Sequence, residues 1–218
     1  MSIAALRRQR ILDEIASAAR LAKRDADDIC LIAVSKTRSA EEVEGLIAAG
    51  QRDFGESRVQ EAMTKWPPLL KRYPEVRLHC IGRLQSNKAA EAVPLFDVIH
   101  SMDRKSLLDA LAKDASSAAR APSVHVQVNI GEEAQKGGCT ILEAATLVEA
   151  VRASPLPLAG LMAIPPLGVE PAPYFALLAK IAEHNGVKGL SMGMSADFKP
   201  AVMLGATAVR IGTALFEG

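Results

Sequence analysis

The sequence predicts an α/β protein built as a single (β/α)₈ barrel, the TIM-barrel architecture. Short β-rich segments alternate with helical patterns along most of the chain, in eight successive repeats. This alternation requires a mostly parallel sheet, and eight repeats fit a closed barrel better than an open sheet. A chain of 218 residues with 49% hydrophobic content is long enough for one large core. We therefore expect one barrel domain over residues 1–218, with an open doubly wound sheet as the alternative.

An amphipathic helix is predicted at the start of the chain. Its apolar residues recur at near-helical spacing and form one face that can be buried. They are Ile3, Leu6, Ile11, Ile15, Ala18 and Ala22. Because only a few residues follow the last predicted strand, we expect this helix to cover the barrel where a final helix would otherwise lie. For the same reason we expect no C-terminal β-domain.

Eight strands and seven intervening helices follow, each identified from its hydrophobic pattern. The predicted strands are Cys30–Lys36, Arg52–Gly55, Val76–Ile81, Phe96–Ser101, Val124–Ile130, Leu158–Ile164, Gly189–Met194 and Ala208–Ile211. The predicted helices are Glu41–Ala49, Val59–Arg72, Lys88–Val93, Lys105–Arg120, Leu142–Ala153, Pro171–His184 and Ala196–Leu204.

Composition and charge argue against several kinds of partner and site. The net charge is +1 and the charged residues are interspersed, so we expect no binding to nucleic acid or to an anionic membrane. No stretch approaches the roughly 18 apolar residues of a membrane span. The three cysteines are widely spaced, which is typical of reduced thiols in a cytosolic protein. The four histidines lack metal-ligand spacing, so we predict structural roles for them and no metal site.

Lys36 ends the first predicted strand. The run Cys30–Thr37 is almost uninterruptedly apolar up to this lysine. A lysine is poorly suited to extending a buried strand, so we expect its amine at the C-terminal end of the strand, partly removed from water. Desolvation favours the neutral, nucleophilic amine, which can form a Schiff base with an aldehyde. The alternative is a lysine that only extends into solvent.

Gly212 and Thr213 directly follow the last predicted strand, Ala208–Ile211. Glycine allows a bound group to approach the backbone closely, and a threonine hydroxyl with neighbouring N–H groups can bind a phosphate. Closure of the barrel would place this pair beside Lys36, because the first and last strands of a barrel are neighbours. An amine beside a phosphate-binding turn is the arrangement that pyridoxal 5′-phosphate (PLP) requires.

Six motifs also carry a family resemblance, in order from the first strand to the last. They are Ala33–Thr37, Phe54–Glu56, His79–Lys88, Gly160–Pro165, Ser191–Ser195 and Val209–Thr213. Together they resemble the PLP homeostasis family over nearly the whole chain. The resemblance implies a single PLP-binding barrel similar to the N-terminal domain of alanine racemase, known as PLP fold type III.

The resemblance further implies roles for individual residues. Lys36 would form the Schiff base, and Arg210 would face the pyridine nitrogen of the cofactor. A guanidinium can donate a hydrogen bond to that nitrogen without protonating it. An unprotonated pyridine is a weaker electron sink, which limits carbanion chemistry. The residues expected around the phosphate are Ser191, Met192, Ser195, Gly212 and Thr213.

Ser57 marks a departure from the family pattern. The family commonly has Asn-Tyr after Phe-Gly-Glu, where this chain has Ser57 and Arg58. The asparagine would contact the cofactor's phenolic oxygen or the lysine. Serine is shorter, so we expect Ser57 to make the same contact through a water molecule.

Three functions fit these expectations. The first is a non-catalytic carrier or buffer of PLP in vitamin B6 and amino-acid homeostasis, which supplies apo-PLP-dependent enzymes. The second is a PLP-dependent racemase, which needs a second acid/base group opposite Lys36. Racemase relatives take that group from a C-terminal β-domain and the partner subunit. The third is a sugar-phosphate aldolase without a cofactor, but Glu56 is the only evident carboxylate at the strand ends. We predict the carrier, as a cytoplasmic monomer.

Overall fold

Eight parallel strands close into a barrel in the computed structural model, which describes residues 2–217. The strands are β1 (Cys30–Val34), β2 (Asp53–Glu56), β3 (Arg77–Cys80), β4 (Val98–Met102), β5 (Ser123–Gln127), β6 (Leu158–Met162), β7 (Leu190–Met194) and β8 (Ala208–Ile211). Each strand pairs in parallel with the next, and β8 pairs with β1 so that Ile32 lies opposite Arg210. The predicted (β/α)₈ barrel is confirmed.

Helices surround the barrel over residues 2–217. They are α1 (Ile3–Leu21), α2 (Ala40–Ala48), α3 (Val59–Arg72), α4 (Ala89–Ala92), α5 (Lys105–Ala115), α6 (Ala144–Arg152), α7 (Ala172–His184), α8 (Phe198–Met203) and α9 (Thr213–Phe216). A capping box begins α2, in which the Ser39 hydroxyl accepts a hydrogen bond from the Glu42 N–H and the Glu42 carboxylate accepts one from the Ser39 N–H. This cap fixes the point at which the loop after β1 ends.

Several predicted elements extend too far at their C-terminal ends. The strand predicted over Cys30–Lys36 ends at Val34, and the one predicted over Val124–Ile130 ends at Gln127. After β5, the apolar residues Val128 and Ile130 continue past the point where the parallel ladder stops. After β1, Val34 is the last apolar residue, and the prediction extended the strand over two polar residues. The helix predicted over Lys105–Arg120 ends at Ala115. The four-residue helix α9 was not predicted.

Helix α1 packs against α8 and α9, in the place expected for it. Its buried residues include Ile11, Ile15 and Ala18, as predicted. Ile3 and Leu6 were expected on the same buried face, but they are 67% and 56% exposed. The reason is helical phase, because at about 100° per residue Leu6 lies on the side of α1 opposite Ile15, next to Gln9 and Asp13.

Polar side chains are buried within the barrel alongside its apolar core. The buried polar residues are Ser35, Gln51, Glu56, His79, His100, Ser101, His125, Ser191 and Arg210. Buried polar groups require hydrogen-bond partners, so their contacts indicate where the fold is specialised. Over residues 2–217, no helix has both the length and the apolar character needed to cross a lipid bilayer.

Candidate functional site

A cavity of about 310 Å³ opens at the C-terminal ends of β1, β7 and β8. Its volume lies at the lower end of the range of about 300–1,000 Å³ that small-molecule sites occupy. The lining residues are Val34, Lys36, Thr37, Arg38, Met194, Ser195, Ala196, Arg210, Gly212 and Thr213. This is also the face at which (β/α)₈ barrels carry their active sites.

Barrel closure brings the two ends of the sequence together at this cavity. In the β1–β8 pairing, Ala33 lies opposite Ile211, so the turns that follow these two strands are neighbours. Five of the eight predicted site residues line the cavity, namely Lys36, Ser195, Arg210, Gly212 and Thr213. The amine and the Gly-Thr turn are therefore adjacent, as expected from closure.

The other three predicted site residues lie outside the lining formed by the described residues. Ser191 is fully buried, and its hydroxyl oxygen accepts a hydrogen bond from Arg210 Nη1 at 2.6 Å. Met192 is fully buried in the hydrophobic core, because successive side chains of a strand point to opposite faces. Ser57 packs against the end of β3, where a Cβ at Gly82 would lie 2.0 Å from the Ser57 carbonyl oxygen.

Lys36 is exposed at the mouth of the cavity. The expectation of an amine partly removed from water is wrong, because β1 ends at Val34 and Lys36 lies on the turn beyond it. Thr37 in this turn has a left-handed φ of 62°, and its hydroxyl donates a hydrogen bond of 2.6 Å to the Lys36 carbonyl oxygen. A left-handed backbone costs a β-branched residue about 1–3 kcal/mol, so surrounding contacts must hold the turn.

An ion pair between the partly buried Lys65 and the fully buried Glu56 supplies those contacts. Lys65 Nζ lies 2.6 Å from Glu56 Oε1 and donates hydrogen bonds to the carbonyl oxygens of Ser35 at 2.7 Å and Arg38 at 3.2 Å. The ammonium thus ties the backbone on both sides of Lys36. Glu56 is fully buried and also accepts a hydrogen bond of 2.8 Å from the Ser35 hydroxyl. Sequence reasoning noted Glu56 but missed Lys65, because nothing in a helical pattern shows which loop a lysine reaches.

Arg210 lies beneath the cavity and is only 4% exposed. Its Nη1 donates to Ser191 Oγ at 2.6 Å and its Nη2 to the Ala163 carbonyl oxygen at 3.1 Å. Burial lowers the pKa of Arg210 to about 10, and the negative charge of Asp197 opposes that shift. The side chain remains a cation at neutral pH. A guanidinium carries five N–H donors, so Arg210 can also donate to an acceptor inside the cavity.

Three of the four histidines meet in the barrel interior next to Arg210. His79, His100 and His125 lie on β3, β4 and β5, and the Nδ1 of His100 is 2.8 Å from Ser191 Oγ. The rings of His100 and His125 stack with centroids 4.3 Å apart. The sequence did not predict this cluster, because the three histidines are widely separated along the chain. The parallel pairing of β3, β4 and β5 brings them together.

A larger cavity of about 780 Å³ lies beside the β4–α5 and β5–α6 loops. Its lining includes Arg83, Arg104 and Lys136, but neither Lys36 nor Thr213. Size alone does not identify a site. We assign the candidate site to the smaller cavity because the amine, the buried guanidinium and the Gly-Thr turn converge there.

Comparison with known proteins identifies the family. The protein-family model of the alanine racemase N-terminal domain matches residues 11–218. The pyridoxal phosphate homeostasis protein of Pseudomonas aeruginosa is 41% identical over 213 residues, covering 95% of this chain and 92% of that protein. The chain belongs to the pyridoxal phosphate homeostasis family. The resemblance indicated by the six sequence motifs is confirmed.

Two solved structures share the fold of this chain. An unknown protein from Bifidobacterium adolescentis matches with a TM-score of 0.92 and 31% identity, covering 98% of this chain and 94% of that one. PipY of Synechococcus elongatus, whose structure contains bound PLP, matches with a TM-score of 0.79 and 37% identity, covering 93% of this chain and 99% of that one.

Proposed function

We propose that this protein binds PLP in the cavity at the ends of β1 and β8, carrying or buffering the cofactor in vitamin B6 and amino-acid homeostasis. The observation that carries the proposal is the convergence of Lys36, Arg210 and Thr213 on one cavity of about 310 Å³. The PLP homeostasis protein of Pseudomonas aeruginosa and the PLP-containing structure of PipY support the identity of the cofactor.

The donor groups of the cavity match the chemical groups of PLP. The hydroxyls of Ser195 and Thr213, with the backbone N–H groups of the turn at Gly212, can donate hydrogen bonds to phosphate oxygens. Arg210 can donate a hydrogen bond to the ring nitrogen. Among the described lining residues, cations are present and carboxylates are not, which suits an anionic ligand.

Lys36 is the residue that we propose to attach the cofactor as a Schiff base. In the condensation, the amine nitrogen bonds to the aldehyde carbon and the carbonyl oxygen leaves as one water molecule. Because Lys36 is exposed, water and free amines can reach the linkage and reverse it. Reversible attachment suits delivery to apo-enzymes that bind PLP more tightly, whereas an enzyme that stabilises a carbanion excludes water.

The proposed role is non-catalytic because the cavity offers few acid/base groups. Racemisation needs one such group on each face of the substrate. Among the described residues that line the cavity, Lys36 is joined by no histidine, tyrosine or carboxylate. A racemase-like enzyme is the second candidate, and the observation that favours it is the match to the alanine racemase N-terminal domain.

We further propose that the protein acts in the cytoplasm as a monomer. Cys30, Cys80 and Cys139 are free cysteines, and burial raises the pKa of each thiol to about 12. Buried thiols of high pKa are poor nucleophiles, which is typical of structural cysteines in a reducing compartment. A single barrel that contains the whole cavity does not require a second subunit to bind its ligand.

Borohydride trapping tests the proposed attachment. Protein incubated with PLP is reduced, digested and mapped by mass spectrometry, and we expect one adduct, on Lys36. An adduct on Lys88 or Lys136 instead would contradict the assignment. A protein that gains no absorbance band with PLP would favour the cofactor-free aldolase alternative.

Two assays on the loaded protein separate a carrier from an enzyme. Reactivation of an apo-PLP-dependent enzyme measures transfer, and chiral chromatography measures D/L interconversion of amino acids. We expect transfer without interconversion. Saturable racemisation that disappears in Lys36→Ala would establish the racemase alternative.

A further inference from the structure

A continuous series of hydrogen-bonding side chains crosses the barrel interior. It begins at Asp53, the first residue of β2, and ends at Arg210 beneath the cavity. Asp53 Oδ1 lies 2.9 Å from His79 Nε2, and His79 Nδ1 lies 2.9 Å from His100 Nε2. His100 Nδ1 lies 2.8 Å from Ser191 Oγ, which lies 2.6 Å from Arg210 Nη1. We call these five residues the interior network.

With neutral imidazoles, one arrangement of hydrogens satisfies all four contacts. A guanidinium only donates, an ionised carboxylate only accepts, and a neutral imidazole has one donor and one acceptor nitrogen. Because Asp53 accepts from Nε2 of His79, the Nδ1 of that ring must accept from Nε2 of His100. His100 Nδ1 then accepts from the Ser191 hydroxyl, whose oxygen accepts from Arg210. Every hydrogen bond therefore points from Arg210 toward Asp53.

The environment of the network supports these charge states. Burial lowers the pKa of His79 and holds the pKa of His100 well below its ordinary value, so both rings are neutral near pH 7. Burial by itself would raise the pKa of Asp53, but hydrogen bonds from His79 and Arg77 outweigh it and lower that pKa. Asp53 is therefore ionised and serves as the terminal acceptor.

We propose that Asp53, His79 and His100 are positioning residues for Arg210, and that they act through Ser191. A serine hydroxyl rotates freely until a partner fixes its hydrogen. His100 Nδ1 accepts a hydrogen bond from the Ser191 hydroxyl, so a lone pair of the Ser191 oxygen faces Nη1 of Arg210. The guanidinium is thereby held between Ser191 and the Ala163 carbonyl oxygen. This inference rests on the proposed function: the contact between Ser191 and Arg210 fixes the orientation in which the guanidinium donates to the ring nitrogen of PLP.

His125 is next to the network but outside it, and it provides a matched control. Its ring stacks on His100 with an interplanar angle of 10°, while its buried Nδ1 has no hydrogen-bond partner among residues 2–217. The described residues also contain no group of three or more side chains able to hold a metal ion. The histidine cluster is therefore explained by hydrogen bonding and stacking.

Nitrogen NMR of histidine side chains, on protein without PLP, tests the direction of the network. We expect the Nε2–H tautomer for His79 and His100 at neutral pH. His184 provides an internal reference of the opposite tautomer, because its Nδ1 lies 2.8 Å from the Lys180 carbonyl oxygen and must donate to it. A wild-type His79 or His100 protonated on Nδ1 would overturn the proposal.

Asp53 variants test whether the carboxylate sets that direction. Asp53→Ala removes the terminal acceptor, so we expect His79 to become a mixture of its two tautomers. His100 should become a mixture as well, because its Nε2 donates to His79. Asp53→Asn keeps an acceptor oxygen and should restore the Nε2–H form, and His125→Phe should leave both rings unchanged. Unchanged tautomers in folded Asp53→Ala would overturn the proposal. If Asp53→Ala does not fold, the tautomers of His79 and His100 in the wild-type protein test the proposal instead.

Absorbance of the PLP-loaded protein tests the link to Arg210. Arg210→Gln should shift the absorbance maximum, Asp53→Ala should shift it in the same direction by less, and His125→Phe should not shift it. A shift in Arg210→Gln with none in Asp53→Ala would overturn the positioning role. If the expected tautomers are found but wild-type Lys36 traps no PLP, the proposed function fails while the interior network stands.

Discussion

The mouth of the cavity and the interior of the barrel place polar groups in opposite environments. At the mouth, Lys36, Ser195 and Thr213 are exposed beyond the strand ends. In the interior, His100 is fully buried between two hydrogen-bond partners. An exposed group can exchange its partner for water at little cost, whereas a buried one left unpaired costs about 1–3 kcal/mol.

Arg210 belongs to both regions, because it lines the cavity and also ends the interior network. The comparison therefore separates two tasks. The mouth supplies groups that bind and release a ligand, and the interior fixes one donor so that it meets the ligand in a constant orientation. Substitutions at the mouth should change binding with little effect on folding, and those in the interior should change stability.

Lys36→Ala should have the largest effect on function. We expect complete loss of the borohydride-trapped PLP adduct, because the cavity then lacks an amine, and a change of less than about 0.5 kcal/mol in unfolding free energy, as for other exposed positions. Intact mass after reduction and urea unfolding measure the two quantities. Lys199→Ala, at an exposed lysine outside the cavity, is the control. An undiminished PLP adduct in Lys36→Ala would show that the Schiff base forms at another lysine, outside the mouth of the cavity.

Glu56→Ala should show the largest effect on stability. It leaves the partly buried Lys65 without its carboxylate and the buried Trp66 Nε1 without the oxygen that lies 3.0 Å away. Removing one partner of a buried pair costs about 3–5 kcal/mol. In contrast, Glu61→Ala breaks an exposed ion pair with Arg58 in the first turn of α3 and should cost less than about 1 kcal/mol. Equal losses of unfolding free energy in the two variants would show that burial of Glu56 adds nothing to the cost of breaking its ion pair.

Thr213→Val should weaken PLP binding by about 1–3 kcal/mol, or roughly 5- to 150-fold, because a hydrogen bond to a charged phosphate is lost. Titration with PLP and with dephosphorylated pyridoxal measures the effect, and Thr213→Ser should retain most of the affinity. We expect wild type to bind PLP more tightly than pyridoxal, and Thr213→Val to bind the two ligands with nearly equal affinity. A retained preference for PLP would place the phosphate elsewhere.

Acid should destabilise the interior progressively. Burial lowers the pKa of His79 and His100 and takes that of His125 to about 3. In the unfolded chain these rings titrate near about 6.5, so below that pH the unfolded state binds more protons and unfolding free energy falls as pH falls. Each ring contributes at most about 1.4 kcal/mol per pH unit.

Urea unfolding between about pH 6.5 and pH 3 checks this slope. His125→Phe should reduce the slope by the contribution of one proton, because the pKa of this ring is lowered to about 3 in the folded protein. An unchanged slope in His125→Phe would show that this ring already binds a proton in the folded protein.

The alternation of strands and helices could be predicted because hydrophobic periodicity is a local property of the sequence. Element ends could not, because a strand ends where its backbone pairing ends: β5 stops at Gln127 although Val128 and Ile130 continue the apolar pattern. The same limit produced the error at Lys36, which was expected at the end of a strand and lies exposed on a turn.

The candidate site could be predicted in part for a topological reason. Closure makes the first and last strands neighbours, so Lys36 and Gly212–Thr213 could be placed together from chain order alone. The roles of these residues toward PLP remain predictions. Met192 could not be placed from its motif, because whether a strand residue faces the pocket or the core depends on the direction of its side chain.

By itself, the sequence determined the barrel, its closure and the residue types at the ends of its first and last strands. Only the tertiary structure decided which buried polar groups meet. The register shift between β7 and β8, between Ser191 and Met194, is invisible in a hydrophobic pattern, yet such registers decide which side chains share the interior. Lys65 beneath Lys36, and the network from Asp53 to Arg210, exist because strands distant in sequence are held at hydrogen-bonding distance.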